Sequence, residues 1–204
     1  IGEAQPTNRT LGWGIDVDDW DGGTVSGNVF AHYGGTPLSN IYALTCSGHT
    51  NDVSFAKNVI YNLDSDVFAV RFDGEPKSQL SFSENALQLD GTPMRFIDVK
   101  STSAASFSQN TYSADSTTDR FRIDGTELDF AAWQTQVGET GSAVSKLAYD
   151  DPSRTIESYM ASLGETATLE AFVAAAKQQS KRNWQPAYTA AAVNAYVRAG
   201  FRVP

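Results

Sequence analysis

The sequence predicts a mainly β fold in which one chain winds into a solenoid of about four to five coils, with a C-terminal helical segment packed on it. Two observations lead to this prediction. An Asn preceded three residues earlier by an apolar residue recurs at Asn28, Asn58, Asn85 and Asn110, at intervals of 30, 27 and 25 residues. The chain is also rich in short strand-like bursts up to about residue 115 and becomes Ala-rich with helical spacing beyond residue 160. Such a repeat is typical of a parallel β-helix, whose coils stack and bury their inward residues.

The repeated Asn has a physical role in such a coil. Sharp turns between strands require a left-handed backbone conformation, which Asn tolerates better than most residues that carry a Cβ. We therefore expect each Asn to occupy a left-handed turn and the stacked amides to hydrogen-bond along the solenoid axis. The alternative is an antiparallel β-sandwich whose strands share a motif, which four phased repeats disfavour.

Each repeat has a companion strand upstream, in the segments GWGIDVDD, NIYALTCS, DVFAVRFD and MRFIDVKS. Alternation with a period of two separates inward from outward side chains. The residues expected inside are Ile15, Val17, Leu44, Cys46, Phe68, Val70, Ile97 and Val99. The residues expected outside are Asp16, Asp18, Arg71, Asp73, Asp98 and Lys100.

The C-terminal part predicts a short hairpin followed by helices. Asp129 is a candidate N-cap of a helix that Gly138 ends, and Trp133 lies on its packing face. Thr168 is a candidate N-cap of a later amphipathic helix, and a further apolar stripe ends before Gly200. Apolar helix faces need a partner, so we expect these helices to pack on the β-helix. The chain then divides into parallel β-helix coils, 1–128, and a C-terminal cap with helices, 129–204.

Composition and motifs exclude several classes of protein. The chain has 15 basic and 24 acidic residues, and the net charge of -9 disfavours binding to nucleic acid. No run approaches the roughly 18 consecutive apolar residues of a membrane-spanning helix. Cys46 is the only cysteine, so no internal disulfide can form. The motifs GxGxxG, P-loop, GxSxG and CxxC are absent, which leaves nucleotide cofactors and a serine nucleophile of the α/β-hydrolase type without support.

The chain also resembles a known family. The Asn-bearing coils, followed by FRIDGTELDFAAWQ, DDPSRTIESYMASLG and NWQPAYTAAAVNAYVRAGF, resemble the C-terminal part of bacterial right-handed parallel β-helix repeat proteins. This resemblance implies a right-handed solenoid and a secreted, periplasmic or cell-surface protein related to polysaccharide lyases and glycoside hydrolases. Since the chain begins in a coil-like stretch, we expect N-terminal coils of the same larger protein as a partner. The same fold hosts many chemistries, so the resemblance is weak evidence for activity.

The segment DVDDWDGGT carries four aspartates: Asp16, Asp18, Asp19 and Asp21. These residues do not match the ligand positions of an EF-hand loop, but a looser calcium site built from carboxylates and backbone carbonyls is one hypothesis. Calcium is the one cofactor that the sequence suggests. Asp16 and Asp18 also point the same way about 7 Å apart along one strand, as a carboxylate pair for glycoside hydrolysis would. The structural interpretation, an outward polar strand entering a Gly-rich turn, is the favoured one.

A lyase acting on uronic acids needs a cation to neutralise the sugar carboxylate and a base to remove the α-proton. Arg71 and Lys100 are the candidate cations, and His49 is a further catalytic candidate beside Asp16 and Asp18. The candidate substrate-binding residues are Trp20, Tyr42 and Asp73, since aromatic rings pack against sugar rings. Alternating charges on a sheet face are also ordinary cross-strand pairs.

These observations favour a carbohydrate-active protein that binds or cleaves an extracellular polysaccharide, with a lyase slightly ahead of a hydrolase. The alternative comes from a different class. It is a noncatalytic C-terminal β-helix segment that stabilises or displays another part of a larger secreted or cell-surface protein. The convergence of Asp16, His49, Arg71 and Lys100 on one groove would favour the enzyme.

Overall fold

The computed structural model describes residues 12–32, 41–63, 67–73 and 79–202. The chain forms two compact units, Ile1–Leu147 and Ala148–Pro204. This division falls later than the expected boundary after residue 128, because the first helix packs into the core of the first unit through Trp133. None of the helices in the described ranges is both long and apolar enough to cross a membrane.

Fifteen short strands and four α-helices make up the described structure. In chain order the strands are β1 (Gly12–Asp18), β2 (Asp21–Ser26), β3 (Val29–Ala31), β4 (Ile41–Ser47), β5 (Asn51–Ala56), β6 (Val59–Tyr61), β7 (Phe68–Phe72), β8 (Ser81–Ser83), β9 (Ala86–Gln88), β10 (Arg95–Val99), β11 (Ser106–Ser108), β12 (Thr111–Ser113), β13 (Phe121–Ile123), β14 (Thr126–Leu128) and β15 (Ala143–Val144). The helices are α1 (Phe130–Val137), α2 (Ile156–Ser162), α3 (Leu169–Lys177) and α4 (Ala190–Gly200), with a 3-10 turn at Pro186–Tyr188.

The strands form three sheets around one core. Sheet A has the order β1-β4-β7-β10-β13-β14, sheet B the order β2-β5-β8-β11, and sheet C the order β3-β6-β9-β12-β15. Strands β1 to β10, and also β12, each pair in parallel with the strand three further along the chain, as β2 does with β5 and β5 with β8. The predicted parallel β-solenoid with a C-terminal helical segment is therefore confirmed. It makes about three turns, slightly fewer than expected, because β13 turns back into an antiparallel hairpin with β14.

Stacked side chains of similar kind fill the core. In sheet B, Val25, Phe55, Phe82 and Phe107 occupy equivalent positions on successive coils, and all four are buried. Helix α1 closes this stack, because the fully buried Trp133 ring lies 5.1 Å from the Phe107 ring. The predicted caps of α1 are confirmed: Asp129 accepts a hydrogen bond from the helix at 2.8 Å, and Gly138 adopts a left-handed φ of 67°.

The inward register of sheet A is largely as predicted. Six of the eight residues expected inside belong to the buried core, and Ile15 packs against it half-buried. Phe68 is buried as well, at 2% exposed, and the guanidinium groups of Arg95 and Arg122 lie over its ring. The alternation breaks in β10, where Phe96 and Val99, three residues apart, both enter the core.

The asparagine ladder is confirmed. The Oδ1 atom of each Asn accepts both the backbone N–H and the Nδ2–H of the Asn one coil earlier, at 3.0 Å for Asn28 to Asn58 and at 2.9 and 3.0 Å for Asn58 to Asn85. Asn85 donates to Asn110 in the same way, at 2.9 and 3.1 Å. The ladder is a continuous chain of amides along the solenoid.

The left-handed conformation was assigned to the wrong residue. The residues with positive φ are those just before each Asn: Gly27, Lys57, Glu84 and Gln109, at 63°, 56°, 56° and 57°. Lys57, Glu84 and Gln109 are exposed, whereas the next three asparagines are buried. The solvent-facing residue makes the turn because the Asn side chain is held inward by its amide partners.

The second unit is helical. Thr168 caps α3 as predicted by accepting a hydrogen bond from Ala171 N at 3.2 Å. Arg154 lies over the ring of Tyr196 at 4.7 Å and donates to the Tyr196 carbonyl of α4 at 3.1 Å. The ring of Tyr159, in α2, lies 5.3 Å from that of Tyr196. That these helices pack on the solenoid stays a prediction.

Candidate functional site

A row of charged side chains crosses the outer face of sheet A. Asp98 on β10 lies in register between Arg71 on β7 and Arg122 on β13. Because neighbouring strands are about 4.8 Å apart, the row runs along the solenoid axis. Thr45 and then Asp16 continue it towards β1. The row therefore spans five strands.

Asp98 is the centre of this row. Its side chain is only 4% exposed, and Arg122 donates to both carboxylate oxygens, from Nε at 2.9 Å and from Nη2 at 2.6 Å. Arg71 Nε lies 3.7 Å from the same carboxylate. The hydrogen bond to Asp98 is the main reason that the pKa of Arg122 is raised above its ordinary value. The two guanidinium groups compensate a carboxylate that would be costly to bury alone.

Aromatic rings support the guanidinium groups. Arg95 and Arg122 lie over the ring of Phe68 at 4.2 and 4.5 Å. Arg71 lies 5.9 Å from the centre of the Tyr42 ring, and its Nη1 donates to the Tyr42 hydroxyl at 3.4 Å. Cation–π contacts of this kind hold a guanidinium in one orientation. The three arginines are thus ordered before any ligand binds.

The arginines remain partly accessible. Their side chains are 25 to 31% exposed, so each presents one edge to solvent. Arg71 Nη2 pairs with Asp73 Oδ2 at 2.7 Å, and Arg95 pairs with Glu127. We call the set formed by Tyr42, Phe68, Arg71, Asp73, Arg95, Asp98, Arg122 and Glu127 the sheet A arginine cluster. Its formal charges cancel locally.

The structure brings together three of the residues that the sequence suggested: Tyr42, Arg71 and Asp73. Lys100 is exposed and follows Val99, whose register partner is Phe72, so it lies one position beyond the strand pairing, on the row of Asp73. Asp98 was expected outside and does point outward, but the arginines bury it.

Sequence reasoning missed Phe68, Arg95 and Arg122 as part of this set. Phe68 was assigned to the core, and Arg122 lies in a three-residue strand whose pairing partner the sequence does not specify. The available signal was the alternation of arginine and apolar residues in DRFRIDG, which places Arg122 on the outer face.

The segment DVDDWDGGT forms the end of β1, a short turn at Asp19 and Trp20, and the beginning of β2. Asp16 accepts a hydrogen bond from Thr45, and Asp18 one from Ser47 at 3.2 Å. Asp19 takes the left-handed turn position, with a φ of 56°, and accepts the backbone N–H of His49 at 2.7 Å. These three carboxylates therefore tie the first coil to the second. This supports the expected polar end of the strand, but the expected Gly-rich turn is wrong, because Gly22 and Gly23 belong to β2.

Gly48 has no side chain, and this allows the carboxylates of Asp18 and Asp19 to approach the next turn closely. A Cβ at this position would lie 2.3 Å from Asp18 Oδ1 and 2.2 Å from Asp19 Oδ1. Within the described ranges, no three His, Cys, Asp or Glu side chains are grouped so that they could hold a metal ion. The calcium hypothesis for Asp16, Asp18, Asp19 and Asp21 therefore stays a prediction.

The remaining candidates are spread over the first two coils. Asp16 shares the row of Arg71 but is separated from it by Thr45. His49 is exposed on the turn after β4, and the Trp20 side chain is 41% exposed before β2. Of the four residues whose convergence would favour an enzyme, Asp16 and Arg71 share a row across sheet A, Lys100 lies one position beyond the strand pairing and His49 lies on a turn.

The fold and this face define the class of the protein: a parallel β-solenoid with an ordered arginine cluster on its outer surface. Comparisons of the chain with protein-family models, with curated proteins and with solved structures give no match. The function therefore has to be argued from the site.

Proposed function

We propose that this chain binds an acidic extracellular polysaccharide along the outer face of sheet A. The observation that carries the proposal is the set of three partly exposed arginines, Arg71, Arg95 and Arg122, held in place by Phe68 and Tyr42. Guanidinium groups bind carboxylates through paired hydrogen bonds, and they do so best when they are already ordered.

The geometry of a solenoid suits a polymeric ligand. Arg71 and Arg122 are two strands apart, which corresponds to roughly 9 to 10 Å along the axis. Two guanidinium groups at this spacing would match a polymer that carries acidic groups on its sugar repeats. A small acid would use one arginine, whereas a polysaccharide can contact several of them at once.

If the bound polymer is cleaved, the site favours elimination over hydrolysis. In that case Arg71 would neutralise a uronate carboxylate, and the base would be a more accessible group than Tyr42, which is buried beside Arg71. The base would take the proton α to the carboxylate, a C=C bond would form, the glycosidic C–O bond would break and the leaving oxygen would be protonated. Lys100 is a second cation near the end of the face.

Hydrolysis needs two carboxyl groups that are free to exchange protons. Both oxygens of Asp98 face guanidinium donors. Asp16 and Asp18 accept hydrogen bonds from Thr45 and Ser47 of the next coil. These contacts leave the carboxylates less suited to acid–base catalysis than the arginines are to anion binding.

The test is a panel of acidic polysaccharides, such as polygalacturonate and alginate, beside neutral ones. Binding is measured by calorimetry, and elimination by absorbance near about 235 nm from the new C=C bond. Arg71→Ala should weaken binding of the acidic polymers about tenfold or more. Lys57→Ala is the matched control, because it removes an exposed cation of the same unit whose partner is Glu84, outside the arginine cluster. Equal losses in both variants, or equal binding of neutral polymers, would contradict the proposal.

A second candidate is the noncatalytic scaffold. It is favoured by the mutual neutralisation of Arg71, Asp73, Asp98 and Arg122, which a stable outer face needs even without a ligand. In this case, N-terminal coils of a larger protein would be the partner. A folded chain that binds no polysaccharide in the panel would favour this candidate.

A further inference from the structure

The second unit contains a shallow pocket built around an exposed tryptophan. The Trp184 side chain is 62% exposed, and the pocket of about 430 Å³ is lined by Gln179, Ser180, Lys181 and Trp184. This volume falls in the roughly 300 to 1,000 Å³ range of small-ligand sites. An exposed indole presents an apolar ring face on which a ligand ring can pack.

The turn that presents Trp184 is held by its neighbours on both sides. Gln185 N donates to Gln179 Oε1 at 2.7 Å, and Asn183 N donates to Ser180 Oγ at 3.1 Å. Gln185 Nε2 donates to Asn183 Oδ1 at 3.3 Å. The indole is therefore exposed on an ordered turn. An ordered aromatic platform loses little conformational entropy when a ligand binds.

The charge of this part of the chain points to an anionic ligand. Residues 171–204 contain five basic residues and no acidic one, in a chain whose net charge is -9. Three of the five, Lys177, Lys181 and Arg182, lie within six positions of one another and are exposed. These three exposed cations attract an acidic group to this part of the unit.

We infer that this pocket is a second saccharide-binding site, which takes an acidic sugar residue. The sugar ring would stack on Trp184, its acidic group would pair with Lys181, and Gln179 and Ser180 would contact its hydroxyl groups. The inference rests on the proposed function for the class of ligand. It uses none of the residues of the sheet A arginine cluster.

The experiment uses the full chain labelled with ¹⁵N in its tryptophans, with the Trp184 indole signal assigned by Trp184→Phe. Oligogalacturonate is titrated in, and its methyl-esterified form serves as the uncharged probe. The Trp184 signal should shift saturably with the acidic probe and much less with the ester. Lys181→Ala should weaken this response about fivefold or more, whereas Lys146→Ala, at an exposed lysine of the first unit, should leave it unchanged.

The outcomes separate this inference from the proposed function. A Trp184 response that persists in Arg71→Ala supports the second site independently of the first. Binding that Arg71→Ala abolishes, with no movement of the Trp184 signal in the unsubstituted chain, would overturn the inference alone. An equal response to the ester, no response to either probe, or a stronger response to single-stranded oligothymidylate would also overturn it.

Discussion

Glu139 shows how one buried residue completes the solenoid. Its side chain lies at the end of the asparagine ladder and is 4% exposed. One carboxylate oxygen accepts from Asn110 at 2.9 Å, Tyr112 at 2.9 Å and Ser142 at 2.6 Å, and the other accepts from Trp133 at 2.6 Å. Four donors thus converge on one carboxylate: two from β12 and α1, and two from the turns at Asn110 and Ser142. The carboxylate ends the ladder where no further Asn follows.

Glu139→Gln should destabilise the fold by about 2 to 4 kcal/mol, because one amide nitrogen would face a donor in the dry interior. Urea denaturation measures the loss. Glu84→Gln, at a half-exposed partner of Lys57, is the control and should change stability by less than about 0.5 kcal/mol. Equal effects of the two substitutions would show that Glu139 is not a structural acceptor.

Because the Tyr112 hydroxyl is buried, we expect the free energy of unfolding to fall at alkaline pH. Burial raises its pKa well above 10.0, and the Glu139 carboxylate raises it further. The unfolded chain releases this proton near about pH 10 while the folded chain keeps it, so stability is unaffected below that pH and falls above it. The free energy of unfolding should fall by about 1.4 kcal/mol per pH unit more in the unsubstituted chain than in Tyr112→Phe. Parallel pH profiles of the two proteins would refute this assignment.

At the scale of elements, the asparagine ladder joins the turns of successive coils. In a middle coil, both polar atoms of the Asn side chain form hydrogen bonds. Asn85 Oδ1 accepts two from Asn58, and Asn85 Nδ2 donates to Phe55 O at 3.0 Å and to Asn110 Oδ1 at 3.1 Å. Asn28, on the first coil, is only half-buried. An Asn of the ladder should therefore contribute more to the free energy of unfolding in the middle coils than in the first described coil.

Asn85→Ala should cost about 2 to 3 kcal/mol, because it leaves buried donors of Asn58 without their acceptor. Asn28→Ala should cost less than about 1 kcal/mol, since its neighbourhood is open to water. Thermal and urea unfolding of the two variants provide the comparison. An equal cost at both positions would mean that the ladder contributes through turn conformation rather than through amide pairing.

At the scale of the whole molecule, the solenoid is a stack in which each coil contacts its neighbours along the axis. The first described coil, β1 to β3, forms one end of all three sheets. The middle coils are paired on both sides, and the last is closed by α1 and the Trp133 ring, which stacks on Phe121 at 5.0 Å. In such a stack, local opening begins at the less protected end.

The rate of backbone amide exchange should therefore differ between the first described coil and the middle coils. The backbone amides of Asn28, Asn58 and Asn85 all donate to an Asn Oδ1 atom, at 2.9 to 3.0 Å, so they form a matched series. The Asn28 amide should exchange at least about tenfold faster than the other two, because Asn28 is half-buried whereas Asn58 and Asn85 are buried. Uniform protection along the series would show that the solenoid opens only as a whole.

The sequence by itself determined the solenoid, the amide ladder and the caps of α1 and α3. These features depend on local chemistry: turn residues that recur every 25 to 30 residues, alternating apolar positions and capping side chains. The predicted position of the left-handed residue was wrong by one residue, because a repeat specifies that a turn exists but not which of two adjacent residues makes it.

Only the tertiary structure decided the arginine cluster and the acceptor at the end of the ladder. Arg71, Asp98 and Arg122 lie 27 and 24 residues apart, and they meet because the loops between them place three strands in register. Glu139 reaches Asn110 across the first helix in the same way. Such contacts depend on register, which is fixed by the packing of the core and the length of each loop rather than by the residues that meet.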